Sequence, residues 1–280
     1  MPQRMTGYTK EAPVSITRAT EDLKGDIERI MEALGGPEAF FSPEDRILLK
    51  PNINSHLDSP AAVDPHFLGT FIDYLQESGY NNLAVAEASG RTWAPTERVV
   101  DDKGLLPFLE ERGVPFFALD DLEWKAVETG GTALPRVHIP AILEDFDRLV
   151  FLPSLKTHGN TGYTLTIKVA MGLTPLADRQ LFHDGSVAAA IADLARVVSP
   201  DLAVIDGRRA FVAGGPDTGT LVEPGLLMAS PSSVALDIEA VRILLQYGAG
   251  SHIGETDPLE TETIRRMGDR VPERITVRWV

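Results

Sequence analysis

Short apolar runs alternate along the chain with segments whose apolar residues recur at helical spacing. The runs that predict strands lie at 14–18, 46–50, 83–87, 115–119, 149–153, 202–206, 225–230 and 275–280. The segments that predict helices lie at 23–34, 65–78, 105–112, 187–198 and 232–246. Buried strands separated by amphipathic helices are typical of a mainly parallel sheet with helices on both faces. The pattern therefore predicts an α/β fold.

Two of the predicted helices have clear start signals. Asp64 is a typical N-cap and Pro65 a typical first residue of the helix. Gly79 follows the last apolar position and ends the helix. Ser186 is placed to cap the helix that begins at Val187. Residues 1–280 are predicted to form a single α/β unit. The irregular stretch 90–145, rich in Pro and Gly, is its best candidate for an insertion or small lobe.

Polar side chains follow several of the predicted strands at the point where each strand ends. They are Lys50, Asn52 and Asn54 after the second strand, Glu87 after the third, Lys156 and His158 after the run at 149–153, and Asp206 after the run at 202–206. Ligands of open α/β sheets bind outside the carboxyl ends of the strands. These residues are therefore predicted to line one site. The alternative is that they are ordinary turn residues.

The distribution of charge indicates which type of ligand this predicted site binds. The 280 residues include 41 acidic and 26 basic ones, a formal charge of −15, yet no Asp or Glu occurs between Asp147 and Asp178. Lys156, His158 and Lys168 lie in that window. Basic side chains without acidic neighbours are suited to a carboxylate or phosphate ligand. The predicted partner is a small anionic molecule.

The same window contains a predicted anion site at a helix N-terminus. A helix with Thr161 as N-cap would place Thr161, Thr164 and Lys168 on one face, with Gly162 in its first turn. The free amides of that turn would add to the lysine charges. The alternative is a strand-and-turn segment, because T-L-T-I-K-V is also a good β pattern, with its lysines in solvent.

Two weaker candidates follow in the sequence. His183 and Asp184 lie just before the Ser186 helix, either as a proton-transfer pair or as part of the helix-capping loop. Gly215 lies in the glycine-rich stretch 211–219, which would bring backbone amides close to a ligand or only form a turn. We assign catalytic roles to His158, His183, Lys50 and Asp206 as predictions, with Gly215 in the binding set.

Composition excludes several classes of function. An acidic chain lacks the basic face that nucleic acids and anionic membranes require. No signal peptide or membrane-length apolar run is found, so a cytoplasmic location is expected. The chain has no cysteine, which excludes an iron–sulfur cluster held by it. Mg²⁺ or another divalent cation would bind if Glu87, Asp206 and Asp237 converged. Oligomeric state is not specified by the sequence.

Ordered motifs give the chain a family resemblance. K-P-N (50–52), L-K-T-H-x-x-T-G-x-T-L-x-I-K (155–168), G-G-P-x-x-G (214–219) and A-S-x-S-S-V-A-L-D (229–237) resemble the family called domain of unknown function 362. Many members resemble redox-associated proteins with a cysteine-rich ferredoxin segment, which this chain lacks. The family is also distantly similar to lactate-racemase-like proteins that handle a nickel-pincer nucleotide. The resemblance implies a small-molecule site between α/β lobes.

These observations favour an enzyme that binds an anionic substrate and performs non-redox acid–base chemistry, such as isomerisation, elimination or cyclisation. Lys156, Lys168, Lys50 and Asn52 would hold the anion. His158 or His183 would move the proton, oriented by Asp206 or Glu87. The alternatives are a non-catalytic binder or carrier of an anionic cofactor, and an accessory protein that docks a redox partner on its acidic surface.

Overall fold

The computed structural model describes residues 10–90, 93–183 and 185–280, without the side chain of His183. Its strands are β1 (Glu11–Arg18), β2 (Ile47–Pro51), β3 (Leu83–Glu87), β4 (Phe116–Ala118), β5 (Trp124–Glu128), β6 (Arg136–Pro140), β7 (Arg148–Leu152), β8 (Ser154–His158), β9 (Gly162–Thr164), β10 (Leu202–Gly214), β11 (Gly219–Val222), β12 (Leu226–Ser230) and β13 (Arg274–Trp279). Its α-helices are α1 (Leu23–Glu32), α2 (Pro65–Glu77), α3 (Thr96–Asp102), α4 (Leu105–Glu110), α5 (Thr166–Val169), α6 (Leu176–Arg179), α7 (Val187–Leu194), α8 (Ser233–Gln246), α9 (Gly250–Ile253) and α10 (Glu262–Met267).

Eleven of these strands form one mixed sheet, which confirms the predicted α/β fold. The strand order is β13-β1-β12-β10-β7-β2-β3-β4. The run β10-β7-β2-β3-β4 is parallel throughout, whereas β12 pairs antiparallel with both β1 and β10. The hairpin of β8 and β9 joins this sheet through β8, which pairs parallel with β10. One edge of the sheet therefore carries the carboxyl ends of β2 and β3 together with the hairpin of β8 and β9.

The apolar strands are buried on both faces, as continuous apolar runs require. In β2, Leu48 packs in one core cluster with Leu149 and Phe151, whereas Ile47 and Leu49 pack in the other, on the opposite face. The first face is covered mainly by α5, α7 and α8, and the second by α1 and α2. Lys50 lies two residues after Leu48 and therefore points to the face that carries α5.

The predicted capping signals are confirmed. The Asp64 carboxylate accepts a hydrogen bond from the amide of His66, and Pro65 begins α2. The Ser186 hydroxyl accepts from the amide of Ala189 at the start of α7, and Ser232 caps α8 through Ala235 in the same way. These caps satisfy amides that have no partner within their own helices.

The stretch 90–145 contributes to two different sheets. β4 is the edge strand of the main sheet beside β3, and β5 and β6 form a separate antiparallel pair. The division of the chain into one unit with a small lobe stays a prediction. Within the part of the chain that the structure describes, no helix has the length and apolar character needed to cross a membrane.

The predicted helix with Thr161 as N-cap is wrong. Residues 158–162 turn the chain from β8 into β9, and the helix begins only at Thr166. Thr164 pairs with Lys156 across the hairpin, so Thr161, Thr164 and Lys168 do not share a helical face. The strand-and-turn alternative holds for 158–164, but of T-L-T-I-K-V (164–169) only Thr164 lies in a strand, and Thr166–Val169 form α5. Lys156 and Lys168 are not solvated surface residues, as described below.

Candidate functional site

Two neighbouring parallel strands place a lysine and a glutamate in direct contact. Lys50 of β2 is 1% exposed and Glu87 of β3 is 3% exposed. The Lys50 ammonium donates to the Glu87 carboxylate at 2.8 Å and to the Pro51 carbonyl at 2.8 Å. Glu87 also accepts from the amides of Ile53 and Ala88. Burial lowers the pKa of Lys50 and raises the pKa of Glu87, and their mutual attraction opposes both shifts.

Gly172 lies against this buried ion pair. A Cβ atom at Gly172 would be 2.4 Å from the Glu87 carboxylate and 2.5 Å from the Lys50 ammonium, so the residue is required for the close approach. The carbonyl of Gly172 also accepts a hydrogen bond from the amide of Ala88, directly after Glu87. The segment that follows α5 therefore packs on the carboxyl ends of β2 and β3.

Lys156 lies on β8 and is fully buried. Its ammonium donates to the carbonyl of Ala61 and, at 3.4 Å, to the carbonyl of Pro216. Thr164 lies opposite it on β9, and within the described residues the Thr164 hydroxyl has no hydrogen-bond partner. A buried hydroxyl without a partner costs free energy, so a ligand that bonded it would gain affinity.

Lys168 lies on α5 and is partly buried. Burial and the nearby Arg179 guanidinium lower the pKa of Lys168 to about 8. Arg179 in turn donates to the carbonyl of Ala88 at 2.6 Å and to that of Thr174 at 3.3 Å. Burial also lowers the pKa of Arg179, which remains charged because guanidinium groups titrate far above neutrality.

The arginine reaches this position because Gly90 leaves room for it. A Cβ atom at Gly90 would overlap the Arg179 guanidinium, and Gly90 has a φ of +67° that favours glycine. The chain therefore turns sharply after β3, and a side chain from α6 fills the space.

These side chains line one cavity of about 210 Å³, which we call the cationic cavity. Its lining residues are Lys50, Asn52, Asn54, Glu87, Ala88, Ser89, Gly90, Lys156, His158, Thr164, Lys168, Val169, Met171, Gly172, Arg179 and Pro216. Four of them are cationic and Glu87 is the one carboxylate among them. The cavity is therefore a local positive region in a chain of charge −15.

A second cavity of about 580 Å³ adjoins the first, and we call it the outer cavity. Both are lined by Gly90, His158, Lys168, Met171 and Arg179. The outer cavity adds Asn160, Thr161, Leu176, Gln180 and Val187. Lys168, His158 and Arg179 consequently lie where the two cavities meet.

The structure brings most of the predicted site residues together. Lys50, Asn52, Asn54, Glu87, Lys156, His158, Thr164 and Lys168 all line the cationic cavity. The Asn52 amide donates to the Ala61 carbonyl, and the Asn54 amide donates to the Asp217 carboxylate at 3.1 Å. The His158 imidazole accepts from the amide of Asn160 through Nδ1, which stabilises the turn after β8.

Other predicted residues lie elsewhere. The Asp206 carboxylate is bound by Arg208, which also contacts Asp64, so Asp206 is not placed to orient His158. Gly162 lines a separate cavity beside α9, and Thr161 lines only that cavity and the outer one. Gly215 packs against the Thr157 carbonyl and supports the position of Pro216. The side chain of His183 and all of Asp184 lie outside the described residues.

The N-terminus of α5 is occupied by a carboxylate of the chain itself. Asp237 of α8 accepts from the amides of Thr166 and Ile167 at 2.8 and 3.0 Å. Burial raises the pKa of Asp237 to about 7, and those two amides oppose the shift. The predicted anion site at a helix N-terminus is therefore wrong, because α5 is capped internally.

The predicted cation site is also not formed. Glu87 is bound to Lys50, Asp206 to Arg208 and Asp237 to α5, so the three carboxylates do not converge. Across residues 10–90, 93–183 and 185–280 no group of three metal-binding side chains is found.

Arg179 and Ser89 are cavity residues that the sequence did not predict. Arg179 lies on a short helix far along the chain from the strands it contacts, and its contact with the Ala88 carbonyl is a tertiary feature. The one available sequence signal was Gly90, three residues after the end of β3, since a glycine in such a turn leaves space for a side chain from elsewhere.

The fold and the cavity define an α/β protein with a buried cationic site at the carboxyl ends of its parallel strands. The profile of the family described as Domain of unknown function (DUF362) matches residues 47–242. The chain therefore belongs to the DUF362 family. A protein of Synechocystis sp. named thylakoid-associated protein is 26% identical over 230 residues, which cover 79% of this chain and 70% of that protein.

Proposed function

We propose that the chain is a small-molecule enzyme that binds a carboxylate or phosphate in the cationic cavity. One observation carries the proposal: Lys50, Lys156, Lys168 and Arg179 line a single cavity in which Glu87 is the one carboxylate among the described lining residues. Grouping buried like charges is unfavourable, and a bound anion relieves that cost. The orphan Thr164 hydroxyl offers an additional hydrogen bond to the ligand.

The arrangement favours acid–base chemistry on the bound anion. Lys168 has a pKa of about 8, so a fraction of its amines is neutral near neutral pH and can accept a proton. His158 lies at the same junction and can serve as the second proton carrier. Isomerisation, elimination or cyclisation of a carboxylate substrate are reactions of this kind.

Calorimetric titration with acetate and inorganic phosphate tests the binding part of the proposal. Lys168→Met should weaken anion binding at least about tenfold, because a hydrogen bond to a charged group contributes about 1.5–3 kcal/mol. Lys10→Met is the matched control, since Lys10 is 85% exposed and outside the cavity. Equal affinities in the two variants would refute the anion site.

Exchange of carbon-bound hydrogen separates the enzyme from a non-catalytic binder. A panel of small carboxylic acids is incubated with the protein in deuterium oxide, and deuterium at the α-carbon is followed by NMR. The enzyme proposal expects exchange with at least one acid, reduced in Lys168→Met or His158→Ala. Anion binding without exchange for the whole panel would favour the binder or carrier.

We propose a cytoplasmic location for this activity. The alternative comes from the Synechocystis relative, whose name places that protein at thylakoids. Attachment of this chain to a membrane surface would place it in the membrane fraction of lysed cells, whereas a cytoplasmic protein stays in the supernatant.

A further inference from the structure

The outer cavity adds apolar side chains of its own, because Leu176 and Val187 line it and do not line the cationic cavity, whereas Met171 lines both. Met171, Leu176 and Val187 contribute apolar surface to it. Leu176 is 43% exposed, and Leu181, one residue after the lining residue Gln180, is exposed to the same extent. Exposing leucine side chains to water at a cavity is unfavourable, and covering them with apolar groups of a ligand lowers the free energy.

The two cavities are continuous at the groups that would hold an anion. Lys168, His158 and Arg179 line both, so an anionic head bound by these groups has the outer cavity directly beside it. The cationic cavity holds only about 210 Å³, less than the roughly 300–1,000 Å³ typical of sites for drug-sized ligands. Any larger part of the ligand must therefore extend into the outer cavity.

We propose that the ligand is an amphiphilic anion, with its carboxylate or phosphate in the cationic cavity and an apolar tail against Met171, Leu176 and Val187. This inference rests on the proposed anion binding and adds the chemical class of the ligand. It identifies Leu176 as a specificity-determining residue. The ligand is a free small molecule, since Lys50 and Lys156 are fully buried and Lys168 and Arg179, which line both cavities, are partly buried.

A series of straight-chain carboxylates from acetate to octanoate tests the tail. Affinity should rise about fourfold for each methylene group that becomes buried, until the chain covers Met171, Leu176 and Val187. Gluconate serves as the polar counterpart of hexanoate, because the two have equally long carbon chains but gluconate carries hydroxyl groups. Hexanoate is expected to bind more tightly than gluconate.

Two matched variants locate the effect. Leu176→Asn should abolish most of the gain with chain length and leave the affinity for acetate unchanged. Leu259→Asn is the control, since Leu259 is 42% exposed and is not among the residues that line either cavity. Both leucines are exposed, so both variants are expected to fold, and unchanged melting temperatures verify this.

Several results would overturn the amphiphile assignment while leaving the anion site intact. Two results would show that the outer cavity accepts a polar part of the ligand. One is acetate binding with no increase in affinity from acetate to octanoate, and the other is tighter binding of gluconate than of hexanoate. If Leu176→Asn and Leu259→Asn reduced the increase of affinity with chain length equally, Leu176 would not be its cause. Co-sedimentation with dodecanoate-containing phosphatidylcholine vesicles, without binding of any soluble carboxylate, would exclude a free ligand. Loss of acetate binding in Lys168→Met reports separately on the proposed function.

Discussion

Lys168 differs from the other three cationic side chains of the cavity in how it is held. Lys50 is bound to Glu87, and Lys156 and Arg179 donate to backbone carbonyls. In the described part of the chain Lys168 has no hydrogen bond or ion pair, and its pKa is lowered to about 8. Lys168 is therefore a cation that a bound anion can hold directly, and its charge changes with pH near 8.

This difference predicts how anion binding changes with pH. Below pH 8 Lys168 is protonated and attracts the ligand, and above pH 8 it becomes neutral. Acetate affinity should consequently be constant just below this value and fall by up to about tenfold per pH unit above it. Calorimetric titrations on both sides of pH 8 measure the effect.

The Lys168→Met variant is the control for this prediction. It lacks the titrating amine, so its weaker acetate affinity should show no inflection near pH 8. An inflection that persists unchanged in Lys168→Met would assign the pH dependence to another group.

Single residues also show where sequence reasoning stops. Lys50, Glu87 and Lys156 could be predicted because each follows directly from a buried strand and parallel strands end at one edge. Arg179 could not, since its place depends on the packing of α6 against the turn at Gly90. Glycines 90 and 172 are needed because of neighbouring side chains that only the folded chain brings near.

At the scale of elements, α5 is positioned by a carboxylate from another helix. The helix has only four residues, too few to be stable alone, and its first two amides are bound by Asp237 of α8. The rest of its support comes from packing against α8 and α7. The position of Lys168 therefore depends on Asp237, which makes Asp237 a positioning residue for the cavity.

Asp237→Ala tests this dependence. The change leaves two buried amides without an acceptor, so the free energy of unfolding should fall by about 2–4 kcal/mol. Acetate affinity should fall by up to about tenfold, because charged groups bind well only when their position is closely held. Denaturant titration and calorimetry measure the two effects.

Asp193→Ala is a closely matched control. Asp193 of α7 also accepts from two backbone amides, those of Ala133 and Leu134, but it does not line the cavity. Its loss should reduce stability while acetate affinity stays unchanged. If both variants weakened acetate binding equally, the effect would be due to lower stability in general.

The segment around α5 also explains why an element was wrongly predicted. T-L-T-I-K-V contains β-branched residues that suit a strand and a spacing that suits a helix. In the folded chain only its first residue, Thr164, ends a strand, and its last four residues, Thr166–Val169, form a helix. Pairing with β8 fixes the first part and Asp237 fixes the second. Neither partner is near in sequence, so local patterns could not decide the boundary.

At the scale of the whole molecule, local sequence patterns predicted the central parallel strands of the sheet, but they did not predict how the strands at its edge pair. Continuous apolar runs at β2, β3 and β7 predicted central buried strands, and these strands lie side by side. The pairing of β1 with β13 joins residues from the two ends of the described chain and depends on long-range packing. Such contacts leave no periodic signal in the sequence.

Charge is distributed so that the molecule repels anions outside and attracts them inside. The net charge is −15, yet Lys50 and Lys156 of the cationic cavity are 1% and 0% exposed, and Lys168 is partly buried. Bulk salt screens the outer charges strongly and the buried ones weakly. A small anion that enters the cavity escapes the outer repulsion, whereas a long polyanion cannot.

This arrangement predicts selectivity by size among anions. Inorganic phosphate should bind, but duplex DNA and heparin should not, even at low ionic strength, because their phosphates and sulfates would have to approach the acidic exterior. Calorimetry with phosphate and gel retardation with DNA, both in the same low-salt buffer, measure the contrast. Retention on heparin that salt reverses would show that the cations form an accessible surface patch. That result would contradict an enclosed site, since Lys50 and Lys156 are 1% and 0% exposed and a polyanion cannot contact them in this structure.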